Sequence, residues 1–180
     1  MSYKVTLNQE ELAYATSVGK LRQDEAVKAH RTASYDFKGD ELAIHVMGAC
    51  GELAVAKVLE LDWSAPVNTF KSGGDVGKLQ VRTSKKMRVS GQKKSRMIIR
   101  HDDSSDDLFV FAWQEDENNY EVVGYIKGAD AKQEKWFWAK PSNGRSPAYF
   151  VSDIHLRDIK ELMQLFSAPP PAGESEKAGT

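Results

Sequence analysis

The sequence predicts one α/β domain with a mixed β-sheet flanked by helices. Three observations carry that expectation. Apolar residues recur at helical spacing over the first sixty positions, the period changes to two from Val67 onward, and a helical pattern returns after residue 153. A chain of 180 residues has the length of a single domain.

Residues 8–30 read as a helix, because Asn8 and Glu11 have capping-box spacing and Leu12, Ala15, Val18 and Leu21 recur at three-residue steps. Ser34, Asp36, Gly39 and Asp40 mark a loop over 31–40. A second helix is expected over about 41–61, stopping before Asp62 and Pro66. Strands are expected at 67–71, 79–83, 97–101, 108–113 and 120–127, with Ser90-Gly91-Gln92 as the tip of a long hairpin. A short, partly helical segment over 129–138 follows. A last strand is expected at 148–151, and a closing helix over 154–166 capped by Ser152 or Asp153. From Ser167 the Ala-Pro-Pro-Pro-Ala-Gly composition offers no apolar anchor, so a disordered tail is expected there.

Composition removes several classes of function. With 41% hydrophobic and 28% charged residues the chain is neither disordered nor, by hydropathy, a membrane span. Met1-Ser2-Tyr3-Lys4 lacks the apolar run of a signal peptide, and a cytoplasmic protein is expected. The single cysteine, Cys50, excludes an internal disulfide and a cysteine-rich zinc site, and its apolar neighbours suit a packed thiol. Walker A, GxGxxG, HExxH and GxSxG patterns are absent.

The net charge of −1 conceals an asymmetry. Between Lys71 and Arg100 stand ten basic residues and one acid, Asp75, so this window carries +9 and the remainder −10. A concentrated positive field attracts polyanions even on a neutral protein. The alternative is a solvated hairpin kept soluble by its lysines.

Two patterns bear on chemistry. In the second helix His45 and Glu52 stand seven apart and share a face with Gly48, Ala49 and Ala56. Such a small-residue strip allows close approach while aiming one carboxylate; tight helix-on-sheet packing with Glu52 at the rim is the alternative. In the stretch 73–83, a strand beginning at Leu79 turns Leu79, Val81 and Thr83 to one face and Gln80 and Arg82 to the other. Asp75 precedes it in a glycine-rich loop. An acid, an amide oxygen and a guanidinium at one strand end are the parts of a metal-assisted phosphodiesterase: oxygen donors for a hard cation, and a positive charge for the phosphorane.

At these residues the sequence resembles the PD-(D/E)XK (restriction-endonuclease-like) nuclease superfamily, and in particular small phage and prophage proteins of that kind. The resemblance rests on Gly51-Glu52-Leu53-Ala54, Gly74-Asp75-Val76-Gly77 and Gln80-Val81-Arg82-Thr83. It continues through Asp102-Asp103 with Asp106-Asp107, Gly124-Tyr125-Ile126 and Ala148-Tyr149-Phe150-Val151, spanning roughly residues 45–156. It implies a restriction-endonuclease-like core and a DNA nuclease dependent on Mg²⁺ or Mn²⁺, working in the cytoplasm, a host's if phage-encoded. Asp75 would be the central metal-binding aspartate, and Glu52 the helix acid that completes or orients metal and water. Gln80 stands where the family usually has Asp or Glu, and Arg82 where it usually has Lys. Gln80 can ligate but adds no negative charge, and Arg82 stabilises charge but does not shuttle protons. A catalytically silent nucleic-acid-binding or inhibitor protein on the same fold is therefore the alternative expectation, and a protein-interaction module a third.

The phosphate backbone would be gripped by Lys78, Lys85, Lys86, Arg88, Lys93, Lys94 and Arg96. Lys85 and Lys86 could equally replace the missing catalytic lysine or line a plain solvated hairpin. Cutting both strands of a duplex commonly takes two active sites, which would call for a homodimer. Asp102, Asp103, Asp106 and Asp107 lack EF-hand spacing and read as a polar turn. Trp136, Phe137 and Trp138, with Lys135 and Lys140, either cover the sheet or stack on unpaired bases.

Overall fold

The computed structural model describes residues 1–29, 40–67, 73–86, 88–89 and 92–93 (these two pairs as backbone), 96–139 and 147–167. In chain order it forms β1 (Tyr3–Thr6), α1 (Gln9–Lys28), α2 (Glu41–Leu59), β2 (Leu79–Lys85), β3 (Arg88–Val89), β4 (Gln92–Lys93), β5 (Met97–Arg100), β6 (Leu108–Gln114) and β7 (Asn119–Lys127). There follow α3 (Gly128–Ala131), a 3-10 turn at Glu134–Trp136, β8 (Phe137–Trp138), β9 (Ala148–Val151), a second 3-10 turn at Asp153–His155, and α4 (Ile159–Ser167). The fold is α/β with a mixed central sheet in the order β1-β7-β6-β2. In it β2 runs parallel to β6, while β7 runs antiparallel to both β6 and β1.

Side-chain alternation divides this sheet into two packed faces. On one, Leu79, Val81, Val110, Ala112 and Val122 meet Val55, Ala56 and Leu59 of α2 and Ile159 and Leu162 of α4. On the other, Phe109, Phe111 and Trp113 meet Met97, Ile99, Tyr149 and Val151 of a small antiparallel sheet in the order β5-β9-β8. Each such ring contributes about 1.5–3 kcal/mol by leaving water. Helix α1 lies outside α2, with Ala15 and Val18 against Ala49, Cys50 and Ala54. Because β2 is an edge strand, its polar residues border open space.

The capping box at α1 forms as expected: the Glu11 N–H donates to Asn8 Oδ1 at 2.9 Å and the Asn8 N–H to Glu11 Oε2 at 2.8 Å. Helix α2 starts on an Asp40 cap and stops at Glu60, whose φ is +55°. By length and hydropathy α2 is apolar enough to cross a membrane. Its apolarity serves the fold, since it packs between α1 and the sheet and buries Ala49, Cys50, Ala54, Val55, Ala56 and Leu59. Close approach to β2 occurs at Gly51, where a Cβ would overlap Thr83 Oγ1, and not at Gly48, where a Cβ would meet nothing.

Three expectations need correction. Strand β1 was unforeseen; it is four residues long and takes its stability from pairing with β7. The closing helix begins at Ile159 instead of 154, because Arg157 and Tyr125 exchange backbone hydrogen bonds of 2.8 and 3.1 Å that hold residue 157 extended along β7. Asp158 then starts the helix by accepting the Lys160 N–H at 3.0 Å. The segment over 129–138 divides into α3, the 3-10 turn and β8. Strand 67–71 and loop 31–40 fall mostly outside the described residues, as do the hairpin tip at Ser90-Gly91 and the tail from 168. Within the expected hairpin, β3 and β4 pair antiparallel.

Candidate functional site

The turn Val76-Gly77-Lys78-Leu79 sets the site. Gly77 takes φ +58°, a conformation costly for other residues, and lets Val76 and Leu79 exchange backbone hydrogen bonds of 2.9 and 3.2 Å. This folds Asp75 back along the start of β2. Its N–H donates to the Leu79 carbonyl, and its Oδ2 accepts the Val81 N–H, both at 2.7 Å. Asp75 is thus fixed beside the first strand residues.

Asp75, Gln80, Arg82 and Glu52 all line one cavity of about 930 Å³ between α2, β2 and β5. His45 lines it too, so the shared face of His45 and Glu52 is realised. Lys78 and Arg96 are exposed on its wall, as is Arg100, which shares a strand face with Ile98. Gln80 and Arg82 lie on the face of β2 opposite Leu79 and Val81, and their neighbours on β6 are Phe109 and Phe111.

Three residues of the site escaped the sequence reading. Arg22 of α1 reaches across α2 and grips Glu52 with both terminal nitrogens, at 2.6 and 2.7 Å, while its Nε donates to the Pro66 carbonyl at 2.9 Å. Trp63 Nε1 donates to Glu52 Oε2 at 3.1 Å. The available signal was an arginine continuing the stripe Ala15, Val18, Gly19 that α1 buries. The third residue is Asp103, in the turn read as merely polar. Its Oδ2 accepts Arg82 Nη2 at 2.9 Å and the Arg100 N–H at 2.8 Å. Arg82 also lies over the Phe109 ring, 5.0 Å from its centre.

Burial pushes the Glu52 carboxyl above the ordinary range, and the bonds from Arg22 offset this only in part. Burial likewise raises Asp75, against the Val81 N–H and the nearby Arg82 and Arg22 charges. His45 is lowered by burial and by Arg22. The cavity therefore gathers carboxylates that resist ionisation together with cations that promote it.

At the start of β2 a divalent cation would find the Asp75 carboxylate and the Gln80 amide as oxygen donors. Mg²⁺ characteristically takes one or two carboxylates and completes its shell with water and substrate phosphate, and this pair suits that habit. Glu52, expected to complete the metal, has both oxygens occupied by Arg22, so its place is behind the donor pair. Among the described residues no three His, Cys, Asp or Glu side chains gather as a metal cage.

The expected phosphate-gripping residues separate. Lys78 and Arg96 border the cavity. Lys85 is exposed at the end of β2 and outside the cavity lining. Lys86 is a correction: its side chain is 8% exposed, bonded to Glu115 and Glu121 and lying over Trp113, so it is unavailable to a phosphate. The side chains of Arg88 and Lys93, and all of Lys94, lie outside the described residues. Cys50 is a buried free thiol raised by burial, in keeping with a packed role.

Comparison of the chain with protein-family models, with curated proteins and with solved structures finds no match.

Proposed function

We propose that the chain is a DNA nuclease dependent on Mg²⁺ or Mn²⁺, with a restriction-endonuclease-like core and its active centre in the cavity between α2, β2 and β5. The observation that carries this reading is the convergence of Asp75, Gln80 and Arg82 on one cavity wall, with exposed Lys78, Arg96 and Arg100 around it. Asp75 and Gln80 would hold the ion through oxygen, and the ion would supply Lewis-acid polarisation of a phosphoryl oxygen. Arg82, oriented by Asp103, directs its positive charge at the phosphate. Arg22 acts as a positioning residue, holding Glu52 against the back of the site. Lys78, Arg96 and Arg100 supply the salt-sensitive grip on neighbouring phosphates. Cytoplasmic DNA is the substrate class, and a homodimer would present two such centres to a duplex.

A second reading has its own observation. The Arg22–Glu52 pair withdraws the helix carboxylate and leaves Asp75 beside a neutral amide, which suits a protein that binds nucleic acid on this fold without cutting it. The two readings separate when supercoiled, linear and single-stranded DNA are incubated with Mg²⁺ or Mn²⁺. Cleavage by the wild type and none by Asp75→Ala is expected. Binding that falls steeply with salt, without cleavage by either protein, would establish the silent reading instead.

A further inference from the structure

The aromatic run 136–138 is divided by the fold. Phe137 turns inward, 5.0 Å from the ring of Tyr149, and Trp136 packs at 5.0 Å against His155. Both help to cover the core between the sheets. Trp138 points the other way and is 45% exposed. It is a large indole left partly in water on a short strand while its two neighbours are packed.

Strand register shows which face Trp138 shares. On β5 the buried residues are Met97 and Ile99, and Ile98 and Arg100 face the cavity. In the antiparallel pairing Arg100 stands opposite Ala148, and Ala148 opposite Trp138. Ile98 stands opposite Phe150, whose ring lies 5.5 Å from that of Trp138 at an interplanar angle of 69°. Paired residues share a sheet face. Arg100, Ala148 and Trp138 therefore form one row across three strands, roughly 10 Å from end to end, with Ala148 buried between an exposed residue at either end. The row begins at the wall of the cationic cavity and ends on an indole braced edge-on by Phe150.

We infer that this face is a base-stacking platform and that the cavity takes single-stranded or locally unpaired nucleic acid. The inference rests on the reading of the cavity as a phosphate site and adds the strandedness of its substrate. Two chemical features of the row select that ligand. Its cavity end is a guanidinium with no ion-pair partner among the described residues, suited to a phosphate. Its far end is an aromatic face, and a base can stack there only when its own faces are not already covered by neighbours in a duplex. Stacking is tolerant of sequence because every base has a π-face. A protein partner would be an alternative occupant of an exposed Trp, but the continuity with a cationic cavity argues for a ligand that alternates phosphate with aromatic rings.

The test is fluorescence anisotropy with three probes at one salt concentration: an oligothymidylate of about 20 nucleotides, an abasic strand of the same length, and a duplex of the same length. The wild type is expected to bind oligothymidylate more tightly than either of the others. Trp138→Ala should weaken oligothymidylate binding on the order of tenfold and leave the abasic strand unaffected, since only the stacking contribution is removed. Trp138→Phe, which keeps an aromatic face, should restore most of the loss. Binding of all three probes with no selective effect of Trp138→Ala would overturn the platform and spare the phosphate cavity. If none of the probes binds even at low salt, the cavity reading fails and the platform with it.

Discussion

At its start β2 borders a cavity, and at its end it closes on an ion cluster built around the buried Lys86 and Glu121 side chains. Gln80, Arg82 and Ser84 alternate with Leu79, Val81 and Thr83 along it, and Lys86, the residue after the strand, continues their side over Trp113. At the closed end Lys86 sits over Trp113 and is bonded to Glu115 and Glu121, and Glu121 also accepts the Ser2 hydroxyl at 2.6 Å. Each of these three charges is answered by another. At the cavity end Glu52 and Arg82 are answered, by Arg22 and Asp103, while Asp75 and Gln80 keep acceptor capacity toward the opening. Buried charge that is fully paired is architecture; buried charge with capacity left over is where a ligand can bind.

The largest effect is expected at the closed end. Lys86→Met leaves the buried Glu121 without its cation, while Glu115 keeps Lys4 at 3.2 Å, and urea unfolding should show a loss of about 3–5 kcal/mol. DNA affinity of the folded protein should be unaffected; a large drop in affinity at unchanged stability would blur the distinction between the ends. Arg22→Met comes next, at about 3 kcal/mol, because Glu52 loses its cation and keeps the Trp63 bond. The double variant Arg22→Met/Glu52→Met should recover much of that loss. Gly51→Ala forces a methyl against Thr83 and should cost about 1–3 kcal/mol, pushing α2 away from the site.

The smallest effects are on pH dependence, and they have opposite signs at the two ends. The bond from Lys86 holds Glu115 down to about 2. Its contribution is present above the ordinary glutamate range and is lost as pH falls from about 4.5 toward 2. Lys86→Met should remove that part of the acid limb. Asp75 is raised by burial, so the folded state holds its proton longer, and stability falls as pH rises through its titration. Asp75→Asn should accordingly be more stable than the wild type at neutral pH, with the advantage vanishing below the ordinary aspartate range. If that variant proves less stable at neutral pH, the Asp75 charge supports the fold instead of straining it.

The cavity end was far more legible in the sequence than the closed end, and the reason is range. Period-two alternation was enough to separate Gln80 and Arg82 from Leu79 and Val81, and a two-turn spacing put His45 and Glu52 on one face. Both are local rules. Arg22 meets Glu52 from thirty positions away, and Lys86 meets Glu115 and Glu121 from twenty-nine and thirty-five, so no short window of sequence contains either cluster. Lys86 looked like one more member of a basic run because charge patterning does not reveal which lysine a sheet will bury. Asp103 was hidden for the same reason in a turn whose polarity was sufficient explanation. Strand β1 carries too few residues for a period to show, and β7 supplies the pairing that defines it.

Tryptophans mark all three regions, which allows one experiment to compare them. Trp63 is bonded to Glu52 behind the cavity, Trp138 stands on the neighbouring platform, and Trp113 lies under Lys86 in the closed cluster. The chain can be labelled with 5-fluorotryptophan, its resonances assigned by single Trp→Phe variants, and a single-stranded oligonucleotide added while ¹⁹F spectra are recorded. The account predicts shifts at Trp63 and Trp138 and none at Trp113. Saturable binding that moves Trp113 and leaves Trp63 in place would contradict it, because the nucleic acid would then sit at the end of β2 that the structure closes.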